Sequence, residues 1–560
     1  MFEDQPITDL KTKPHGRAKF LVPVGAPLHP LVVILISVFL FALSPKITAD
    51  TSTPEDRAAL FEYLLEKTMA RESFSPIKNK NLRLDVKKEM LRYRDELVAA
   101  DTDEKLYYAL VKISNARKDR HLKVSLVKGG LTLPDTTGVN LHNYPAAGAK
   151  ILHAPVRFAV DYGTPGKYFV FVSDYSKNIA DFMAENLPEI GDKLLAINGQ
   201  PIAEYRRAIE PYHRYSTTEG FWWKFAAWLP QKSYQFPPSF YREKVTYLLE
   251  RKTREQYSIS LPYLLPEKIV WEGFGERRYP GFSLAFSTQT YDFYHRGDGK
   301  KVILLDWHGF RSNLVADIDR LMDYAVEHKL LDHDIILDGT RSRGGSKGAY
   351  AVQCLSPKPF KTTFGNLKLS DVTQAFIERK RQQFKKKRIL DSGVSETIDD
   401  GTWLMDWLEN DVTLGLQAGQ SYSNNVPFKL AHLPKYSDGI IKPAKVHFPG
   451  SLICLFSPYG GSHLDQFASL VVDNSLGHTM GMSTGGYSNT WEWEEILIFP
   501  ISKKPIVLFM WSIGHTIRPN GEILEGNPAK VDEHIPLTRD NFLSYYSMLL
   551  SRAMKHLGLE

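Results

Sequence analysis

The stretch from Leu452 to Val472 constrains this chain most. Leu452 to Phe456 is an uninterrupted apolar run, the mark of a strand buried on both faces. Pro458, Tyr459, Gly460 and Gly461 break it and Ser462 follows. Leu464, Phe467, Ala468, Val471 and Val472 then recur at helical spacing. Strand, tight glycine turn, serine and helix belong to an α/β architecture. The arrangement puts Ser462 at a helix N-terminus, where unpaired backbone N–H groups stabilise developing negative charge. The same residues also fit a simpler role, with Ser462 as an N-cap and Asp465 closing a capping-box-like pair.

At 560 residues the chain exceeds one ordinary core, and several domains are expected. With 43% hydrophobic and 24% charged residues, large cores are expected and widespread disorder is not. A net charge of +6 is small for this length, and no recognition motif accompanies it, so a nucleic-acid partner is excluded. The two cysteines, Cys354 and Cys454, each stand beside a strand-like run; two buried free thiols are favoured over a single disulfide. The histidines show no metal-ligand spacing, so neither a metal site nor a cofactor is expected.

Lys11, Lys13, Arg17 and Lys19 precede an uncharged stretch from Phe20 to Pro45 with an apolar centre at Leu31 to Leu43. That centre is short for a bilayer span, and Ile47-Thr48-Ala49 follows it. Residues 1–49 therefore read as a cleaved secretory signal, with an uncleaved single anchor as the alternative. In either case the body of the protein is expected to be exported, periplasmic or extracellular.

Residues 50–149 read as a helical region, with Leu60, Phe61, Leu64, Leu106, Leu110 and Ile113 at helical spacing. Alternation of Leu122, Val124 and Leu126 predicts a strand from His121, which places that histidine at a helix-to-strand junction. Residues 150–265 form a strand-rich module, with a helix predicted near Ala180 to Asn186. Within it, Gly191-Asp192 and Asn198-Gly199 make turns around a short apolar strand. The stretch from Pro188 to Ile202 resembles the most recognisable segment of PDZ domains, which bind chain ends by adding a peptide strand to a sheet edge.

Residues 266–356 read as α/β units, with strands at Val302 to Leu305 and Asp334 to Leu337 and a helix over Asp317 to Leu330. The second strand runs into the glycine-rich loop Asp338 to Ser346, an anion or oxyanion cradle that lacks the lysine and spacing of a nucleotide-binding P-loop. Residues 357–446 form an insertion. It holds a basic run, Arg379 to Arg388, read as a solvated helix face, and a Trp- and Leu-rich segment, Gly401 to Leu408, read as a lid or a hydrophobic contact. Residues 447–560 return to α/β pattern, through Gly477 to Gly486, a strand at Ile506 to Met510 and a closing helix over Asn541 to Leu557.

Five of these segments, in order, resemble the tail-specific or C-terminal processing peptidases, the family that includes the tricorn core. Asp119-Arg120-His121-Leu122-Lys123-Val124 is similar to Asp-Gly-His-x-x-Val. The PDZ-like Gly191 to Ile202 comes second, and Asp338 to Gly345 is similar to Asp-Leu-Arg-Gly-Asn-x-Gly-Gly. Ser462-His463-Leu464-Asp465 resembles Ser-Ala-Ala-Glu, and Leu524-Glu525-Gly526 with Asp532 resembles the closing Glu-Gly…Pro-Asp.

The resemblance implies a serine peptidase on a spiral β-α, crotonase- or Clp-protease-like core, acting on peptide or protein substrates. Carried over, it makes Ser462 the nucleophile, His121 the general base and Glu525 the group that orients and charge-stabilises the imidazolium. The backbone N–H groups of Gly344 or Gly345 and of His463 would form the oxyanion hole. The branch with a lysine base is disfavoured, because Tyr487 stands in the lysine's place. An unshifted histidine predicts an acid limb of activity near neutral pH. Ser342, Gly339-Thr340, Arg120 and Asp465 depart from the family pattern, and some relatives have lost activity. The alternative function is a catalytically inactive binding protein on the same fold, for a peptide or hydrophobic ligand.

Overall fold

The structure, a computed structural model, describes residues 52–133, 151–182, 186–390, 402–428, 433, 436, 438–488 and 491–560. The signal or anchor expected over residues 1–49 lies outside them. Among the described residues no helix is long and apolar enough to cross a membrane.

Helices Pro54–Arg71 and Asp103–Asn115 begin where their caps dictate. Thr53 and Thr102 accept hydrogen bonds from the backbone N–H of Asp56 and Lys105, and proline opens the first helix. Their apolar faces, including Leu60, Phe61, Leu64, Leu106 and Leu110, are buried. The chain then runs into strand Val124–Leu126, which pairs antiparallel with Pro505–Ser512, Val124 opposite Phe509. This joins the start of the chain to its end and fixes the loop that carries His121.

Arg117, fully buried, anchors the join: its Nη1 donates to Met510 O at 2.7 Å and to Glu72 Oε2 at 3.1 Å. Removing one partner of a buried ion pair strands the other charge away from water. Arg117→Ala is therefore expected to lower stability by about 3–5 kcal/mol in denaturant unfolding. A loss within experimental error would contradict this.

The strand-rich module is a six-stranded antiparallel sheet of Val156–Asp161, Phe169–Tyr175, Lys193–Ile197, Gln200–Pro201, Lys244–Glu250 and Gln256–Pro262. The Asn198-Gly199 turn forms as expected, with φ of 51° and 82° and Ala196 opposite Pro201. The helix predicted near Ala180 to Asn186 reduces, among the described residues, to a single 3₁₀ turn, Ile179–Phe182. The rest of that segment, residues 183–185, lies outside the described residues. Helix Thr218–Trp228, capped by Thr217, packs Phe221 and Phe225 into the same core.

A seven-stranded sheet forms the other main layer, in the order Phe282–Ser287, Tyr291–Arg296, Val302–Trp307, Asp334–Asp338, Leu452–Phe456, His478–Gly481, Glu533–His534. The first two pairings are antiparallel and the rest parallel. Val302–Trp307 and Leu452–Phe456 are buried along their whole length, which is why Val302 to Leu305 and Leu452 to Phe456 read as unbroken apolar runs. The helix predicted over Asp317 to Leu330 runs Leu314–Glu327 and ends ahead of Lys329, whose left-handed φ of 58° closes it.

The insertion is woven into the body. Its strand Phe364–Leu367 lies between Val426–Pro427 and Gly514–Ile517, and Phe376, Leu404, Trp407 and Leu408 share one core with Leu60, Phe61 and Trp511. The Trp- and Leu-rich segment is thus a hydrophobic contact. The basic run continues helix Thr373–Leu390. Cys354 and Cys454 are buried and free.

Candidate active site

Strand Leu452–Phe456 leads through Ser457 to Gly461 into helix His463–Asp473. A side chain on Gly460 would meet Ser342 O at 2.2 Å, and one on Gly461 would meet the Tyr487 ring at 2.1 Å, so both turn positions require glycine. Ser462 itself has φ 60° and ψ −121°, a sparsely populated conformation that costs roughly 1–3 kcal/mol. The surroundings hold it there. Ser462 N–H donates to Tyr487 O at 2.7 Å, and Gly485 N–H to Gly460 O at 2.7 Å. Asp465, fully buried, accepts from Gly486 N–H at 2.8 Å and Tyr487 N–H at 2.9 Å.

These contacts overturn the capping interpretation. Ser462 makes no side-chain cap bond, and Asp465 is engaged with the 486–487 backbone instead. The hydroxyl of half-buried Ser462 sits at a strained strand-to-helix turn, the geometry of a nucleophile elbow.

His121 comes to it from the other end of the chain: its Nε2 lies 3.1 Å from Ser462 Oγ. The His121 backbone N–H donates to Asp119 Oδ1 at 2.9 Å, and its ring stands edge-on to Tyr487, centroids 5.3 Å apart. Burial pulls the imidazole pKa down, to about 4, against the opposing pull of Asp119. Its Nδ1 is buried without a hydrogen-bond partner.

Glu525 is therefore not in hydrogen-bond contact with His121, contrary to its expected place on the imidazole. It sits fully buried, with Oε2 accepting from Ser488 N–H at 2.8 Å and Oε1 3.5 Å from Lys78 Nζ. Burial and the charge of Asp119 push its pKa up, to about 8. The carboxylate that acts most directly on His121 is Asp119, two residues before it. In the sequence Asp119 stands out only as part of the Asp-Arg-His motif; the signal for its role is an Asp placed to bond a backbone N–H two residues on. Tyr487 stands where the resemblance puts a base, whereas nothing in the sequence marks Lys78 as a neighbour of the site.

The glycine loop and helix His463–Asp473 meet at the serine. A side chain on Gly344 would lie 2.6 Å from Ser462 Cβ and 3.1 Å from His463 N. Gly345, at φ 151°, is pressed onto Phe310 O, which a Cβ would meet at 1.7 Å. His463 is the first residue of its helix, so its N–H has no intrahelical acceptor. The His463 side chain points elsewhere: Nε2 accepts from Gly348 N–H at 2.7 Å and Nδ1 donates to Gln466 Oε1 at 3.0 Å. Burial holds its pKa down at about 3, so this ring is a neutral brace between the two segments.

Among the described residues the metal-competent grouping is Asp292, Asp306 and His308, whose ligand atoms lie within 4.8 Å of one another. Arg277 already pairs with Asp306, so its charge is compensated without an ion.

No family model matches the chain, and no curated protein matches it in sequence. Among solved structures it is similar to mature CPAF, with TM-score 0.62 and 13% identity over 90% of this chain and 97% of that one. The complex of mature CPAF with lactacystin matches equally, with TM-score 0.62 and 13% identity over 90% of this chain and 98% of that one. A looser likeness, TM-score 0.37 and 11% identity over 86% of this chain and 92% of that one, is to the photosystem II D1 C-terminal processing protease. The chain thus has the α/β multidomain fold seen in mature CPAF.

Proposed function

We propose that the chain is a serine-type peptidase in which Ser462 attacks the scissile carbonyl and His121 takes up its proton. The observation that carries this is the 3.1 Å approach of His121 Nε2 to Ser462 Oγ. A serine hydroxyl is a poor nucleophile at neutral pH, and a neutral imidazole in hydrogen-bond reach is what activates it. A protein that only binds ligands gains nothing from the strained φ of Ser462, so the binding-only alternative is not favoured.

In this reading Ser462 Oγ forms a bond to the carbonyl carbon as its proton passes to His121 Nε2. The tetrahedral oxyanion is received by the N–H of His463 and that of Gly344 or Gly345. Collapse expels the amine, which takes the proton from His121, and water repeats the sequence on the acyl-enzyme. The negative charge of Asp119 stabilises the imidazolium. Glu525 is a positioning residue, which ties Lys78 to the Ser488 backbone. The PDZ-like module offers sheet edges for a substrate strand. The protein acts in an exported compartment, as its N-terminal sequence suggests.

The test is covalent labelling with a fluorophosphonate, followed across pH. Wild type is expected to label and Ser462→Ala not to; labelling that survives Ser462→Ala refutes the site. Because burial lowers the pKa of His121, the neutral base persists into acid. The limb in kcat/KM is expected near pH 4, not at the neutral value an unshifted histidine predicts. Lactacystin, solved in complex with mature CPAF, is the first small inhibitor to try.

A further inference from the structure

Arg343 stands in the chain immediately before Gly344, the residue that abuts Ser462 Cβ. Its side chain is exposed, and Nε donates to Tyr459 Oη at 3.4 Å. Tyr459 lies three residues before Ser462 and is braced from behind by Trp223, ring centroids 4.6 Å apart and nearly perpendicular. Arg120, next to His121 in the chain, stacks over the Tyr487 ring, 4.1 Å from its centroid. The Tyr487 ring in turn lines Gly461 and His121. Two guanidinium groups thus stand near the Ser462–His121 pair, Arg120 over a tyrosine ring and Arg343 on a tyrosine hydroxyl.

Neither arginine makes an ion pair among the described residues, and Nη1 of Arg120 is buried with no hydrogen-bond partner. The groups acting on Arg343 are the phenols of Tyr459 and Tyr487, with no carboxylate among them. The nearby acids, Asp119 and Glu525, are buried behind His121 and are occupied there. Guanidinium groups held beside the serine by tyrosines, and lacking an ion-pair partner among the described residues, form a fork for carboxylates.

We infer that Arg343, with Arg120 near it, selects peptides carrying an Asp or Glu side chain beside the scissile bond. This rests on the peptidase reading and deepens it. An acidic side chain bound by this fork would hold the carbonyl over Ser462 by a contact on the same loop that supplies an oxyanion donor. Binding energy would then be spent on orientation at the reacting centre.

The test uses matched fluorogenic peptides, identical except for Glu, Gln or Lys at single positions on either side of the cleaved bond. Each is assayed beside fluorophosphonate labelling of the same protein. At one such position kcat/KM is expected to be about tenfold higher for Glu than for Gln, corresponding to about 1.4 kcal/mol. Lys should be poorer still, and the differences should shrink as salt is raised. Arg343→Glu is expected to invert the order so that the Lys peptide becomes the best substrate; Arg343→Lys should keep the order with a smaller ratio. Normal labelling with no charge preference at any position overturns the inference and leaves the peptidase reading standing. So does a preference that Arg343→Glu leaves unchanged. If the wild type neither labels nor cleaves, the peptidase reading itself fails and the inference falls with it.

Discussion

Replacing Ser462 or His121 with alanine is expected to lower kcat for peptide hydrolysis by about 10⁴–10⁶-fold. Either change removes one half of the Ser462–His121 pair and its 3.1 Å contact. The double variant should be no worse than the poorer single one, because a nucleophile without its base and a base without its nucleophile are equally idle. Stability should barely move: Ser462 makes no cap bond to lose, and relief of its strained φ is not available to alanine either. The measurement is steady-state hydrolysis of one peptide by the four proteins, with unfolding midpoints as control. A His121→Ala variant that retains more than about a tenth of wild-type kcat would remove His121 from the mechanism. The base would then have to be sought elsewhere. His463 is no substitute, since its ring is spent on Gly348 and Gln466.

The second large effect is expected at Gly344. A methyl there would lie 2.6 Å from Ser462 Cβ, 2.9 Å from Gly461 O and 3.1 Å from His463 N. All three belong to the nucleophile turn and the start of its helix, where backbone atoms have little room to give. Gly344→Ala is therefore expected to displace the loop from the serine and lower kcat by at least about 10²–10³-fold, the scale of losing one oxyanion donor. KM should change much less, since the substrate contacts at the arginines are separate from the developing charge. Fluorophosphonate labelling should fall in parallel, because that reaction also builds negative charge on an oxygen in the same hole. Unchanged kcat in Gly344→Ala would show that the loop supplies no donor.

Much of the architecture was legible because it depends on short-range pattern. The apolar run at Leu452 to Phe456, the Asn198-Gly199 hairpin and the Thr-capped helices each follow from side chains within a few residues of one another. The insertion was harder. Its helices are amphipathic toward a core made of segments from both ends of the chain, and nothing local to residues 357–446 announces those partners.

The sequence by itself determined the strand–turn–serine–helix unit, the helix-to-strand junction at His121 and the glycine-rich loop, since periodicity and turn chemistry are properties of neighbouring residues. Only the tertiary structure decided what those pieces do to one another. It placed His121 on Ser462 through the pairing of Val124–Leu126 with Pro505–Ser512. It turned Asp465 from a cap into a clamp on Gly486 and Tyr487. It set Glu525 behind His121, on Lys78 and Ser488, and left Asp119 as the nearer charge. Hydrogen bonds and desolvation act over a few ångströms in space, whatever the separation along the chain, so partners and pKa shifts become fixed only when the sheets close.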